Sequence, residues 1–127
     1  MAEALLRPML AAGTEVGSVG THALLGHPAD ENVLELLASR GIDASAHRAR
    51  QASTELLRGA DLVLAMESHH LREVNEIDAT VRGKAFLVGH WSDKREIADP
   101  FQQGREAFEQ TLSELDLMLP AWLAKLN

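Results

Sequence analysis

Two short apolar runs, Leu62-Val63-Leu64-Ala65-Met66 and Ala85-Phe86-Leu87-Val88, constrain the fold more than anything else in the chain. Each is continuous rather than alternating, and the first is bounded by polar residues on both sides. A strand buried on both faces reads this way, and such strands belong to parallel sheets. Between them Ser68–Glu76 reads as a helix with Leu71 and Val74 inward. Strand, helix, strand is the repeat of an α/β protein. In parallel sheets of that class, ligands sit beyond the carboxyl ends of the strands.

The flanking segments fit the same architecture. Ala2–Ala12 reads as a helix with Leu5, Leu6, Met9 and Leu10 on one side and Gly13 at its stop. Pro8 is awkward there, because proline costs about 3 kcal/mol in a helix interior. Glu15–Val19 is a short strand candidate, followed by the loop Gly20–Ala29. Asp30 is placed to cap a helix over Glu31–Arg40, with Val33, Leu34, Leu36 and Leu37 inward and Gly41 just past its end. Ile42–Gln51 is a polar connection, and Ser53 or Thr54 is placed to cap a short helix ending at Gly59. Gly89–Phe101 reads as loop. Gly104–Asn127 reads as a long helix with Phe108, Leu112, Leu115, Leu119 and Trp122 on one stripe, kinked or restarted at Pro120. The expected fold is three layers, a parallel sheet flanked by helices, in a single domain over residues 1–127.

Composition excludes several functions. A formal net charge of −7 with no basic run argues against nucleic acid or an anionic membrane as partner. No apolar run approaches the roughly 18–20 residues that span a bilayer, and the start, Met1-Ala2-Glu3-Ala4-Leu5-Leu6, is no signal peptide. The chain has no cysteine, which removes disulfides, thiolate zinc sites and thiol chemistry. That fits a reducing, cytoplasmic setting.

Candidate chemistry is sparse. Asp99 follows the last strand at the expected ligand edge, and Pro100 biases it toward an extended backbone that would hold its carboxylate out of the loop. It reads as a general acid or as an ordinary turn aspartate before proline. His22, His27, His47, His69, His70 and His90 lack metal-ligand spacing, and His69 and His70, adjacent on a helix, are expected to diverge. No metal site is expected. His47 draws notice because Arg48 and Arg50 follow it, although two loop arginines read more simply as a solvated surface. Trp91 is placed to line a pocket or to cover the sheet edge. No glycine-rich phosphate loop is present: Gly13, Gly17 and Gly20 lack the strand–loop–helix order.

Taken together and in order, these stretches resemble the low-molecular-weight protein tyrosine phosphatases. The matching pieces are Met1-Ala2-Glu3-Ala4-Leu5-Leu6-Arg7, Ser18-Val19-Gly20-Thr21-His22-Ala23, Gly26-His27-Pro28-Ala29-Asp30, Arg40-Gly41-Ile42-Asp43, His47-Arg48-Ala49-Arg50-Gln51, Ala60-Asp61-Leu62-Val63-Leu64-Ala65-Met66-Glu67 and Ile97-Ala98-Asp99-Pro100-Phe101. The Gly89-His90-Trp91 turn looks like the bacterial branch, some members of which act on tyrosine kinases controlling capsule and exopolysaccharide export.

The resemblance implies that phosphotyrosine on a protein, such as a bacterial tyrosine kinase, is the substrate, that no cofactor or metal is needed, and that Asp99 matches the family's general acid. Trp91 and Phe101 become candidates for the pocket wall. In the family a buried first strand leads into a Cys-x5-Arg-Ser phosphate loop whose thiolate attacks phosphorus. Met1 matches a methionine inside the family's sequence, so that strand and loop are expected to lie upstream of this chain, and the chain as it stands is expected to be inactive. Without its central first strand the sheet is expected to expose strand edges. Re-pairing, homo-oligomerisation through those edges and exchange of elements between chains would then compete. A non-catalytic binding or oligomerisation module on the same scaffold is the alternative. An arsenate reductase, which needs several cysteines, ranks last.

Overall fold

The computed structural model describes residues 1–127. Five α-helices and two strands follow in the order α1 (Ala2–Leu6), α2 (Glu31–Ala38), α3 (Thr54–Gly59), β1 (Val63–Ala65), α4 (Ser68–Ile77), β2 (Ala85–Leu87) and α5 (Arg105–Leu126). The two apolar runs form a two-stranded parallel sheet, with Val63, Leu64 and Ala65 opposite Ala85, Phe86 and Leu87. The α4 crossover between them makes this the expected β-α-β unit. No helix is long and apolar enough to cross a membrane.

Local signals work where they are self-contained. The Asp30 carboxylate accepts the Asn32 amide at 2.8 Å at the start of α2, and Gly41 past its end takes a φ of +75°, a conformation open to glycine without steric cost. Ser53 Oγ accepts the Leu56 amide at 3.2 Å and opens α3. The other end of α3 is closed by Lys84, whose ammonium donates to the carbonyls of Leu57 at 2.7 Å and Ala60 at 2.5 Å. A basic group on those carbonyls satisfies acceptors that the helix leaves unbonded.

Three expectations differ from the structure. The first helix stops at Leu6, and Arg7–Met9 continues as a tighter 3-10 turn around Pro8. The second is Glu15–Val19, which is not a strand. A strand exists only through a partner, and here only Gly20 pairs, with Gln51. The carbonyls of Val16 and Ser18 accept instead from the guanidiniums of Arg7 at 3.1 Å and Arg50 at 3.4 Å. Finally, α5 runs through Pro120 without restarting. Pro120 and Asp116, whose carbonyl loses its amide partner, both lie on the exposed face of the helix.

The main core joins α1, α2 and α5 around Leu5, Leu6, Leu37, Ile97, Phe108, Leu112, Leu115, Met118 and Leu119. The stripe expected on α5 is buried throughout. A smaller cluster of Leu57, Val74 and Val81 packs α3, α4 and the 3-10 turn Ala79–Gly83 together.

Candidate functional site

The carboxyl ends of β1 and β2 hold two features, an acid loop and a histidine–carboxylate cluster. The loop is anchored at both ends of its critical stretch. Gly89 begins it with an isolated antiparallel pairing to Arg95. Ile97, buried to 1 % exposure, donates its amide to the Met66 carbonyl at 2.9 Å and so ties the loop to the end of β1. Beside it Glu96 Oε1 accepts the Ser68 amide at 2.6 Å, at the first residue of α4. Asp99 follows two residues past Ile97 and is exposed. One of its oxygens, Oδ1, accepts the Phe101 amide at 2.9 Å across Pro100. The turn reading of Asp99 is seen directly in this hydrogen bond. The carboxylate braces an Asx turn through one oxygen, and the same turn holds the group out from a loop fixed to the sheet end.

Of the other expected site residues, Phe101 adjoins Asp99 through its amide and Trp91 packs against α5. Phe101 is half exposed. Trp91 packs edge-on against His90 and Trp122, with ring centroids 4.5 and 5.7 Å away, and carries the Lys125 ammonium 4.5 Å above its ring. Its aromatic and cationic contacts thus draw it onto α5. The larger of the two principal cavities, about 650 Å³, lies elsewhere, between α1, residues 16–18 and the loop 41–50. His47, Arg48 and Arg50 line it, whereas Asp99, Trp91 and Phe101 do not.

The histidine cluster was not legible beforehand. His69 and His70 do not diverge, for their ring centroids lie 4.0 Å apart. They sit in the first turn of α4, where no preceding turn constrains them. His70 folds back so that its Nδ1 accepts the Glu67 amide at 3.2 Å. His69 stands between two carboxylates, with Nδ1 3.0 Å from Glu73 Oε1 and Nε2 3.3 Å from Glu67 Oε1. The spacing of His69 and Glu73, one helical turn apart, was the available signal. The Thr21 hydroxyl and then His69 pull the Glu73 carboxyl down to about 2. The hydrogen bond from Glu73 leads the contacts that raise His69.

The fold matches known proteins over nearly the whole chain. The family described as low molecular weight phosphotyrosine protein phosphatase matches residues 1–127. The chain belongs to that family. A relative, the low molecular weight protein-tyrosine-phosphatase Etp of Escherichia coli (strain K12), is 38% identical over 125 residues, covering 98% of this chain and 84% of Etp. Among solved structures, Vibrio vulnificus Wzb in complex with benzylphosphonate superposes with a TM-score of 0.92 at 32% identity, covering 98% of this chain and 88% of that one. The YwlE arginine phosphatase from Geobacillus stearothermophilus gives a TM-score of 0.90 at 31% identity, over 98% of this chain and 82% of its own. The low-molecular-weight phosphatase fold and the bacterial character of the chain are therefore those the sequence resemblance indicated.

Proposed function

We propose that this scaffold serves hydrolysis of protein phosphotyrosine, with Asp99 as the general acid, and that the 127-residue polypeptide alone does not turn substrate over. One observation carries the second half: the chain contains no cysteine, so it offers no thiolate to attack phosphorus. The first half is supported by family membership and by the exposed Asp99 carboxylate on a loop tied to the end of β1. A general acid there would protonate the leaving tyrosine oxygen and then activate water against a phosphoenzyme. A phosphorylated bacterial tyrosine kinase in the cytoplasm is the partner this reading favours. Its fold alone does not select tyrosine, since YwlE, on the same fold, is an arginine phosphatase.

The test has two arms. The purified chain is assayed with an aryl phosphate and a phosphotyrosine peptide, and no turnover above buffer is expected. Turnover abolished by Asp99→Ala would overturn the inactive reading. In the second arm the segment of Etp outside the match is fused to this chain. The fusion is expected to hydrolyse the aryl phosphate, and Asp99→Asn is expected to lower that rate by roughly 10²- to 10⁴-fold. An Asp99→Asn fusion of undiminished rate would remove Asp99 from the mechanism.

A further inference from the structure

We propose that Glu67, His69 and His70, at the junction of β1 and α4, form a binding site for a divalent transition-metal ion of the zinc type. The donor atoms of the three side chains all lie within 4.8 Å of one another. They share the first turn of α4 and the residue before it, so a bound ion would bridge the end of the sheet and the start of the helix.

The geometry around His69 carries the inference. Glu73 is a hydrogen-bond acceptor, and its Oε1 lies 3.0 Å from His69 Nδ1. With an Nδ1 proton donated to Glu73, the Nε2 edge of the ring faces Glu67 Oε1, 3.3 Å away. That space takes either the second proton of an imidazolium or a metal ion in its place. A zinc ion about 2.0–2.1 Å from each of two donors in tetrahedral geometry separates those donors by about 3.4 Å. A carboxylate holding the far nitrogen of a ligating imidazole is the usual outer partner of a metal-bound histidine. Glu73 fills that position.

His70 supplies the third donor at a defined cost. Its Nδ1 lone pair already accepts the Glu67 amide, at the long distance of 3.2 Å. Ligation by that nitrogen would exchange this long cap for a metal bond, and ligation by Nε2 would keep it. Two imidazoles and one carboxylate form a donor set suited to zinc, nickel or copper and poorly suited to magnesium or calcium, which prefer oxygen throughout. Other ionisable groups nearby are His22, 3.7 Å from Glu73 Oε1, and Glu96 on the Ser68 amide. Only Glu67, His69 and His70 converge on one point.

The test is calorimetric titration of the untagged chain with Zn²⁺, with Mg²⁺ as the comparison ion, alongside histidine-resolved NMR spectra. Saturable binding of a single Zn²⁺ per chain is expected, with shifts at the His69 and His70 rings and none from Mg²⁺. His69→Ala and Glu67→Gln are each expected to weaken binding at least tenfold. Glu73→Gln, which keeps the ligands but alters their support, is expected to weaken it about 10- to 100-fold. His47→Ala, in the separate cavity, is expected to leave it unchanged. Far-UV circular dichroism verifies that each variant is folded. Absence of Zn²⁺ binding, or equal affinity in the wild type and His69→Ala, overturns the proposal. Neither readout depends on phosphatase activity, so the site stands or falls independently of the proposed function.

Discussion

The indole of Trp122 donates its Nε1 hydrogen to the carbonyl of Val88 at 2.7 Å, in the buried interior between α5 and the end of β2. Val88 is held from the other side as well, its amide donating to the Ala65 carbonyl at 2.8 Å. One residue past β2 is thus pinned to β1 and to the last helix. The next residue opens the loop that ends at Asp99. The Trp122→Phe variant keeps most of the ring volume and removes the donor, leaving a buried carbonyl unpaired. It is expected to lower stability by about 1–3 kcal/mol, read as a shifted urea midpoint with an unchanged slope.

Gly89 is required by contact rather than by φ. A Cβ added there would lie 2.0 Å from the Arg95 carbonyl oxygen, which belongs to backbone and cannot swing away. Gly89→Ala is therefore expected to separate Gly89 from Arg95 and loosen the stretch that carries Asp99. The expected cost is on the scale of overpacking, about 1–3 kcal/mol, in denaturant unfolding. Hydrogen exchange should localise it, with faster exchange at the Ser92 amide, which donates to the Gly89 carbonyl at 2.8 Å. Exchange there at the wild-type rate would refute the contact.

Much of this was readable from the chain because the deciding interactions are local. Asp30 and Gly41 bracket α2 within a few residues of its ends, and the apolar runs around Leu64 and Leu87 pair as a parallel sheet needs. Glu15–Val19 was misread because strand pairing is non-local, and its carbonyls find Arg7 and Arg50 instead. The placement of Asp99 was legible through Asp-Pro and the preceding strand. The packing of Trp91 against Trp122 was not, since it depends on a helix folding back from the far end of the chain. The approach of His69 and His70 escaped because no preceding turn restricts rotamers in a helix's first turn, so rings on diverging Cβ atoms can fold together.

Asp78 predicts an acid limit. It is buried, its Oδ1 accepts the amide and hydroxyl of Thr80 at 3.0 and 2.8 Å, and its Oδ2 accepts from Arg58 at 3.1 Å. The Thr80 hydrogen bonds, followed by the Arg58 charge, hold its carboxyl below the usual carboxylate range. A carboxyl whose folded value lies below its unfolded one binds fewer protons when folded. Its stabilisation is full above the unfolded value and is lost as the pH falls through the folded one. Asp78→Asn is expected to lower the melting temperature at pH 7 and to flatten its decline below about pH 4. Parallel melting curves for the two proteins across that range would contradict the assignment.

The last prediction concerns the free side of β1. Val63 donates its amide to the Lys84 carbonyl at 2.9 Å, and the Ala65 carbonyl accepts from Val88 at 2.8 Å. In a parallel ladder alternate residues face the partner, so Val63 and Ala65 face β2 and the backbone groups of Leu64 are directed to the opposite edge. That edge has no strand beside it, because the two-stranded sheet ends there. Unpaired strand edges bind other strands. In a monomer the Leu64 amide should exchange with deuterium much faster than Val63, although the two are adjacent and both half-buried. With rising protein concentration, protection of Leu64 should grow while that of Val63 stays constant, in step with the mass measured by sedimentation equilibrium. Protection of Leu64 that is already complete in a dilute monomer would show the edge closed within the chain.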